Sequence, residues 1–231
     1  MTPYPMSPSQ RRIAAACLVA GPVLFTISEA LYPEVSGTGQ QMLGQVAAHR
    51  GSLAAAAGTT FLAGLLFIPG LFGLLSRRME RGSALAMWGL ALLYYGLIAN
   101  VALFGINVSF YAMAAPSLDP SVMGKAVDSL PPSLVGPILL GHAVMALGTL
   151  LLGAGLWRSG VGPRWAAACV GLTGITDFSL GGAGLPEAVT LVAANGMLVA
   201  GFGAYAWLVL REQHHQAARA GLVAPAAPAT A

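Results

Sequence analysis

Long apolar stretches alternate with short polar segments along the chain. Six stretches carry almost no charged side chains, and they lie at residues 13–32, 53–75, 84–111, 134–156, 165–180 and 187–210. A helix needs about 20 apolar residues to cross the hydrocarbon core of a bilayer. Within lipid, an isolated stretch can satisfy its backbone polar groups only as a helix. The pattern therefore predicts an all-α polytopic membrane bundle with about six transmembrane helices.

The segments outside the apolar stretches are short. Residues 1–10 are rich in Pro and Ser, and residues 212–231 are rich in Ala and Pro, so we expect a loose N-terminus and a disordered tail. Residues 33–52 include a short amphipathic run that ends at Arg50, and the four prolines within 115–133 predict a loop. Residues 11–211 then form a single transmembrane domain.

Composition supports the same class. Hydrophobic residues make up 56% of the chain and charged residues 8%, whereas a soluble domain carries about a quarter charged residues. The net charge is +3, and the basic residues are scattered rather than gathered into a stripe. We therefore expect the lipid bilayer, and not a nucleic acid, as a partner.

The basic residues also predict an orientation. Cytoplasmic loops of membrane proteins are enriched in Lys and Arg. With six spans and both termini in the cytoplasm, nine basic residues fall on the inner side and two on the outer side. The inner ones are Arg11, Arg12, Arg77, Arg78, Arg81, Arg158, Arg164, Arg211 and Arg219, and the outer ones are Arg50 and Lys125. This bias favours a multi-pass protein of a bacterial inner membrane.

Four acids lie within or at the rim of the apolar stretches, and no Lys or Arg shares those stretches. They are Glu29, Asp177, Glu187 and Glu34. A charge in hydrocarbon is costly, so an intramembrane acid indicates a functional site, and without a cation it is expected to keep its proton near neutral pH. Structural explanations stay open for these acids. An acid can be hydrogen-bonded in a purely structural role, Glu187 can be a charge that complements a helix N-terminus, and Glu34 can lie in a solvated loop.

Other polar and aromatic side chains fall at a similar depth in the predicted outer half. They predict a cavity that opens toward the outer leaflet above apolar helix packing, although aromatic residues also form interfacial belts and a lone histidine is usually a core residue. We take Glu187, Asn107, Tyr111, Asn195, Tyr95 and Phe178 as candidate substrate-binding residues. Close helix packing is predicted at Gly141, Gly148, Gly153, Gly196, Gly201 and Gly203.

An acid kept neutral in an apolar pocket can donate a proton. Protonation of an alkene or epoxide gives a carbocation, which aromatic faces stabilise, and a second group accepts the final proton. We therefore predict acid-initiated cyclisation of an isoprenoid or prenylated substrate, with Asp177, Glu29 and His142 as catalytic residues. A proton-coupled transporter or exporter of a small lipophilic compound, and a non-catalytic accessory subunit, are the alternatives. Oligomerisation stays open.

The chain resembles the small six-helix integral membrane proteins common in actinobacteria. The resemblance lies in Ser28-Glu29-Ala30-Leu31-Tyr32-Pro33, in the second-stretch ending at 69–75, and in Trp157-Arg158 with Pro163-Arg164-Trp165. The chain is more loosely similar to the membrane-bound terpene cyclases of meroterpenoid and indole-terpenoid pathways. That similarity implies an all-helical, metal-free enzyme with intramembrane carboxylates, and it assigns no role to any single residue.

Metal and cofactor motifs are missing from the sequence. HExxH, CxxC, DDxxD and DxDD do not occur, and neither do the paired aspartate-rich motifs of intramembrane prenyltransferases. These absences argue against magnesium-dependent ionisation of a diphosphate. We expect a reaction without a cofactor.

Overall fold

Eight helices make up the fold. A computed structural model describes residues 6–33, 35–75, 82–182 and 187–222, and within these ranges it contains no strand. In chain order the helices are α1 (Pro8–Leu31), α2 (Gly39–Ala48), α3 (Arg50–Leu75), α4 (Ser83–Met113), α5 (Pro120–Asp128), α6 (Pro132–Ser159), α7 (Arg164–Gly182) and α8 (Glu187–Leu222). The all-α class is confirmed.

The first and last helices extend beyond the boundaries expected from the sequence. α1 begins inside the segment expected to be loose, because Ser7 and Gln10 form a reciprocal capping box and Pro8 takes the first helical position. α8 continues past Arg211 to Leu222, so the boundary expected at 211 falls within a helix. Residues 223–231 lie outside the described residues.

The segment 115–133 was predicted as a loop, and that prediction is wrong, because it contains α5. Asp119 caps this helix by accepting a hydrogen bond from the Ser121 backbone N–H at 2.8 Å, and Pro120 starts it. Proline interrupts a helix interior but is tolerated in the first turn. α2 has the same kind of start, a capping box formed by Thr38 and Gln41.

α2 and α5 pack together at one end of the bundle, and we call this pair the end cap. The Asp128 carboxylate accepts a hydrogen bond of 2.7 Å from the Gly39 backbone N–H. The helices cross where Gly39 and Gly124 face each other, and a Cβ at Gly124 would lie 2.7 Å from the Gln40 backbone nitrogen. A side chain at either glycine would therefore force the two helices apart.

The six long helices form a closed ring around a central space. Each contacts the next in the order α1, α3, α4, α6, α7 and α8, and α8 returns to α1. Among the described residues, five stretches are long and apolar enough to cross a membrane: Pro8–Leu31, Arg50–Leu74, Ser83–Met113, Leu140–Ser159 and Ala193–Arg211. α7, whose side chains are described only to residue 176, is not among them. A membrane bundle is thus supported, whereas the sixth span and the orientation stay predictions.

The half of the ring farther from the end cap is tightly packed, and we call it the packed half. It comprises residues 14–18 of α1, 70–74 of α3, 86–90 of α4, 152–156 of α6, 166–171 of α7 and 205–209 of α8, most of them buried. Backbones approach closely here, since a Cβ at Gly153 would lie 2.5 Å from the Gly171 Cα and one at Gly70 would lie 2.9 Å from the Leu18 nitrogen.

The predicted glycine contacts are partly confirmed. Gly141, Gly148, Gly153 and Gly201 each meet a neighbouring helix at close range. Gly196 and Gly203 have nothing within 4 Å of an added Cβ, so the prediction is wrong for both. Both face open space in α8, where glycine provides no close contact.

Candidate functional site

The other half of the ring, between the packed half and the end cap, encloses a cavity, and we call it the hollow half. The cavity has two compartments, with empty volumes of about 660 Å³ and 680 Å³, part of which opens to the outside. Phe25, Glu29 and His142 line both compartments. Both compartments are concave spaces among packed helices, which is where small-molecule sites commonly lie.

The first compartment, here the apolar compartment, is lined mainly by hydrocarbon and aromatic side chains from α1, α3, α4, α6 and α8. Phe67 and Phe202 meet edge to face, with ring centroids 5.9 Å apart and an interplanar angle of 73°. Their partners in the lining are Leu93, Leu97, Met145, Ala146, Gly174, Ala194 and Leu198, with Thr149, Thr173 and Asn195 as polar members. Such a lining suits an apolar ligand.

The second compartment, here the polar compartment, lies among α1, α3, α4 and α6. Beyond the three shared residues it is lined by Ser28, Tyr32, Thr60, Asn100, Leu103, Phe104 and Asn107. Most of these side chains can hydrogen-bond without carrying charge. The compartment therefore suits neutral polar groups.

Tyr32 and Asn107 join α1 to α4 at this compartment. The Tyr32 hydroxyl donates a hydrogen bond of 2.9 Å to Asn107 Oδ1. Tyr32 follows the last residue of α1, and burial raises the pKa of its phenol, while the bond to Asn107 acts in the opposite direction. The hydroxyl thus keeps its proton at neutral pH and remains a donor.

Hydroxyl groups on facing helices complete the polar wall. Ser28 Oγ donates to the Ala56 carbonyl oxygen at 2.9 Å and also contacts Thr60 Oγ1. Asn100 Nδ2 donates to the Gly96 carbonyl oxygen at 3.0 Å. The side-chain amide oxygen of Asn100 takes no part in this bond. The wall is therefore held by bonds to helix backbones rather than by ion pairs.

Four of the residues singled out in the sequence meet at the cavity. Glu29 and His142 line both compartments, Asn107 lines the polar one and Asn195 the apolar one. Glu29 is half-buried, and so is His142. The expected gathering of these four polar groups is what the geometry shows, although their roles stay predictions.

Tyr95 and Tyr111 lie outside the cavity lining, contrary to expectation. Tyr95 is 42% exposed, and its hydroxyl approaches the Pro137 carbonyl oxygen only at 3.5 Å. Tyr111 lies beyond Asn107 near the end of α4, where the Arg50 guanidinium stacks 4.2 Å from its ring centroid and donates to its carbonyl oxygen at 3.1 Å. Both side chains face the surroundings because α4 turns them away from the ring centre.

The remaining candidates lie outside the described residues. These are the side chains of Asp177, Phe178 and Glu187, together with Glu34. The helix backbone of α7 does include position 177, one turn after Thr173, which lines the apolar compartment.

The sequence interpretation did not single out several lining residues. Thr149 and Thr173 each donate at 2.8 Å to a carbonyl oxygen in the preceding turn, which is the usual behaviour of hydroxyls within helices. Phe25, Phe67 and Phe202 look like ordinary span residues. A weak signal exists for Ser28 and Thr60, since small polar residues in apolar stretches frequently mark helix contacts.

Charge is scarce in the cavity. No Lys or Arg occurs among the described residues that line either compartment. Over the same described part of the chain, no group of three His, Cys, Asp or Glu residues lies close enough to hold a metal ion. Glu29 and His142 are the carboxyl and imidazole groups of the described lining, and Tyr32 adds a phenol to the polar compartment.

No protein family, curated protein or solved structure matches this chain. The function is therefore inferred from the geometry of the cavity.

Proposed function

We propose that the protein is an intramembrane enzyme that catalyses the acid-initiated cyclisation of an isoprenoid or a prenylated compound. The observation that carries the proposal is the position of Glu29 and His142, which both line both compartments of one cavity. In this proposal, a proton donor and a proton acceptor face the same space, next to a compartment with a mainly apolar lining.

Binding precedes chemistry in this proposal. The hydrocarbon chain lies in the apolar compartment against Phe25, Phe67 and Phe202, and any neutral polar group lies against Asn100 and Asn107. The walls of the compartment restrict a flexible chain to compact shapes through close packing, because lipid is as apolar as the lining. Reacting double bonds are then held near one another.

The reaction begins with proton transfer from the Glu29 carboxyl group to a carbon of a terminal alkene. The alkene π electrons form the new C–H bond, and the adjacent carbon becomes a cation. A second double bond attacks this cation and closes a ring by forming a C–C bond. An epoxide reacts similarly, because protonation of its oxygen breaks a C–O bond and leaves a hydroxyl group.

The reaction ends with loss of a proton from carbon to the His142 imidazole. The electrons of the broken C–H bond form the final double bond, so an alkene substrate and its product are isomers. Return of the proton from His142 to the Glu29 carboxylate restores the starting state. Because both groups line the same compartments, the proton can return within the cavity and need not pass through the packed half.

Two properties of the cavity support a cationic reaction. Phe25, Phe67 and Phe202 lie in the lining of the apolar compartment, and an aromatic ring attracts a cation within about 6 Å of its centroid by about 0.5–2 kcal/mol. The described lining of the apolar compartment is dominated by hydrocarbon, which limits the number of ordered water molecules able to quench the cation.

Asp177 is the second candidate acid in this proposal. It follows Thr173 by one turn of α7, and it could replace Glu29 as donor or accept the last proton in place of His142. The proposal also includes the six-span topology with both termini in the cytoplasm, a location in a bacterial inner membrane and an action that needs no metal. The positive-inside bias of the basic residues supports the topology.

A proton-coupled transporter is the other functional class, and the packed half disfavours it. A transporter needs a path from its binding site to each face of the membrane. In the described packed half, backbones meet at Gly70 and Gly153, and Leu18, Leu71 and Leu152 are fully buried. Opening a path there would require separation of several glycine-packed helices.

Deuterium labelling tests the proposal directly. Membranes containing the protein are incubated in D₂O with polyprenyl alcohols, prenylated phenols and their terminal epoxides, and products are analysed by mass spectrometry. We expect cyclic products that gain one deuterium on carbon from an alkene substrate, because the acidic proton of Glu29 exchanges with D₂O between turnovers. Glu29→Gln should lower turnover by about 10²–10⁴-fold, the range typical of general acids. Turnover of Asp177→Asn, measured in parallel, shows which of the two acids donates the first proton.

Tyr111→Phe is the matched control, because Tyr111 lies outside the cavity lining and the variant should keep wild-type turnover. Unchanged turnover in both Glu29→Gln and Asp177→Asn would contradict the mechanism. Movement of an unchanged compound across proteoliposomes in step with protons would instead support the transporter.

A further inference from the structure

All four tryptophans of the chain are exposed. Their exposed fractions are 67% for Trp88, 46% for Trp157, 55% for Trp165 and 58% for Trp207. Trp88 follows the start of α4, Trp157 precedes the end of α6, and Trp165 begins α7. Trp207 lies in α8 beside Tyr205, where the turn between α6 and α7 docks. The four residues thus gather at the end of the packed half.

Arginines stack on two of these rings. The Arg164 guanidinium carbon is 5.7 Å from the Trp157 ring centroid, and that of Arg211 is 5.0 Å from the Trp207 centroid. A stacked guanidinium keeps its N–H groups at the edge of its plane, where they can bind a phosphate. Each pair therefore combines an apolar face with phosphate donors.

The turn between α6 and α7 holds this arrangement in a fixed shape. Gly160 and Gly162 have φ values of +66° and +83°, which side chains of other residues rarely adopt. The Val161 backbone N–H donates to Ser159 Oγ at 3.2 Å. Gly162 rests on α8, where an added Cβ would lie 2.9 Å from the Tyr205 ring. Trp157-Arg158 and Arg164-Trp165 thus flank a rigid turn.

The turn carries positive charge without nearby acids in the sequence. No Asp or Glu occurs between Asp128 and Asp177. In the described part of the chain, no carboxylate forms an ion pair with Arg158 or Arg164. Both arginine side chains are exposed. Within the described residues, both guanidinium groups are therefore open to an anion from the surroundings.

We propose that the turn Trp157–Trp165 is a binding site for the headgroup of an anionic phospholipid. Arg158 and Arg164 bind the phosphate, and the exposed rings of Trp157 and Trp165 lie against the glycerol and upper acyl chains. Tryptophan favours this depth of a bilayer, and basic groups between helices bind anionic headgroups. The site is independent of the cavity and of the proposed reaction.

Tryptophan fluorescence provides the test, because every tryptophan reporter lies at this end. The full-length protein is placed in phosphatidylcholine vesicles with a small fraction of phosphatidylglycerol whose acyl chains carry bromine, which quenches nearby rings. We expect stronger quenching by brominated phosphatidylglycerol than by brominated phosphatidylcholine at the same fraction. Each arginine should account for about a fivefold preference, equivalent to about 1 kcal/mol.

The double variant Arg158→Gln/Arg164→Gln should lose this preference, while circular dichroism shows unchanged helix content. Lys125→Gln is the control, since Lys125 is an exposed cation on α5 in the end cap, and it should leave quenching unchanged. Equal quenching by the two lipids in the wild-type protein would overturn the proposal. So would a retained preference in the double variant, or displacement of the lipid by an equal concentration of inorganic phosphate.

Discussion

The packed half and the hollow half use the same helices in opposite ways. In the packed half, α4 and α6 approach so closely that Gly89 meets the backbone of Leu152. Toward the end cap, α4 and α6 stay close at Gly96 and Gly141, but the centre of the ring opens around Glu29 and His142. The two halves therefore differ in what fills the ring centre, which is packed side chains in one half and a cavity in the other.

The difference shows how a small membrane protein can build a cavity. Lipid tails are as apolar as leucine, so helices associate through close packing rather than through exclusion of water. Strong packing in one half fixes the helix axes, and the other half can then keep space between them. We expect changes in the packed half to affect stability and changes in the hollow half to affect function.

The largest effect should come from filling a glycine contact. Gly89→Leu places a side chain against the α6 backbone, which cannot rotate away, so we expect the free energy of unfolding to fall by at least about 3 kcal/mol. Gly105→Leu, in the same helix but facing open space, should change it by no more than about 0.5 kcal/mol. Unfolding in mixed micelles measures both. Equal losses would contradict the close contact between Gly89 and α6.

The second prediction fills the cavity. Ala194→Leu adds bulk to the apolar compartment, so turnover of an isoprenoid substrate should fall about 10²-fold through misplaced substrate. The thermal midpoint should change little, because the added atoms enter existing space. Gly203→Leu, on α8 with nothing within 4 Å, should retain turnover. A similar loss in both variants would mean that helix geometry, rather than cavity volume, controls the rate.

A smaller effect is expected at the polar compartment. Tyr32→Phe removes the donor to Asn107 and leaves its Oδ1 without this bond, which should lower the unfolding free energy by about 1 kcal/mol. Tyr95→Phe is the control, because the Tyr95 hydroxyl is exposed and its contact is 3.5 Å long. Denaturant unfolding of both variants measures the difference. A loss at Tyr95 equal to that at Tyr32 would contradict a specific role for the bond.

The smallest effect concerns the end cap and pH. Hydrogen bonds from the Ser121 side chain and backbone lower the pKa of Asp119 below its usual 3.8. A carboxyl group whose pKa is lower in the folded state stabilises the folded protein at pH values above its unfolded-state pKa. This stabilisation is lost as the pH falls through the folded-state pKa. The thermal midpoint of Asp119→Asn should therefore fall less on acidification than that of the wild-type protein. Parallel acid profiles of the two midpoints would contradict this role.

The long helices could be predicted from sequence because lipid imposes a simple length and polarity rule. The span predicted at 84–111 became Ser83–Met113. α5 could not be predicted in the same way, because it is short and lies in a proline-containing segment where Asp119 and Pro120 act as a helix start rather than a break. Local capping decided the structure there.

Residues of the candidate site could be predicted where polar side chains are rare in the surrounding sequence. Glu29, His142, Asn107 and Asn195 stand out against apolar neighbours, and all four line the cavity. Tyr95 and Tyr111 were misplaced because a tyrosine suits both a cavity and a membrane interface, and only the rotation of α4 distinguishes these positions. Phe67 and Phe202 could not be recognised because their role depends on which helices become neighbours.

The closed ring has a consequence for biogenesis. α8 fills the gap between α7 and α1, so the ring around the cavity closes only after the last long helix has been synthesised and inserted. Until then, the α1 segment that carries Glu29 lacks its α8 neighbour. Premature termination within α8 would therefore yield an open chain without a chamber, and the cell could distinguish finished from unfinished molecules by the exposure of that acid.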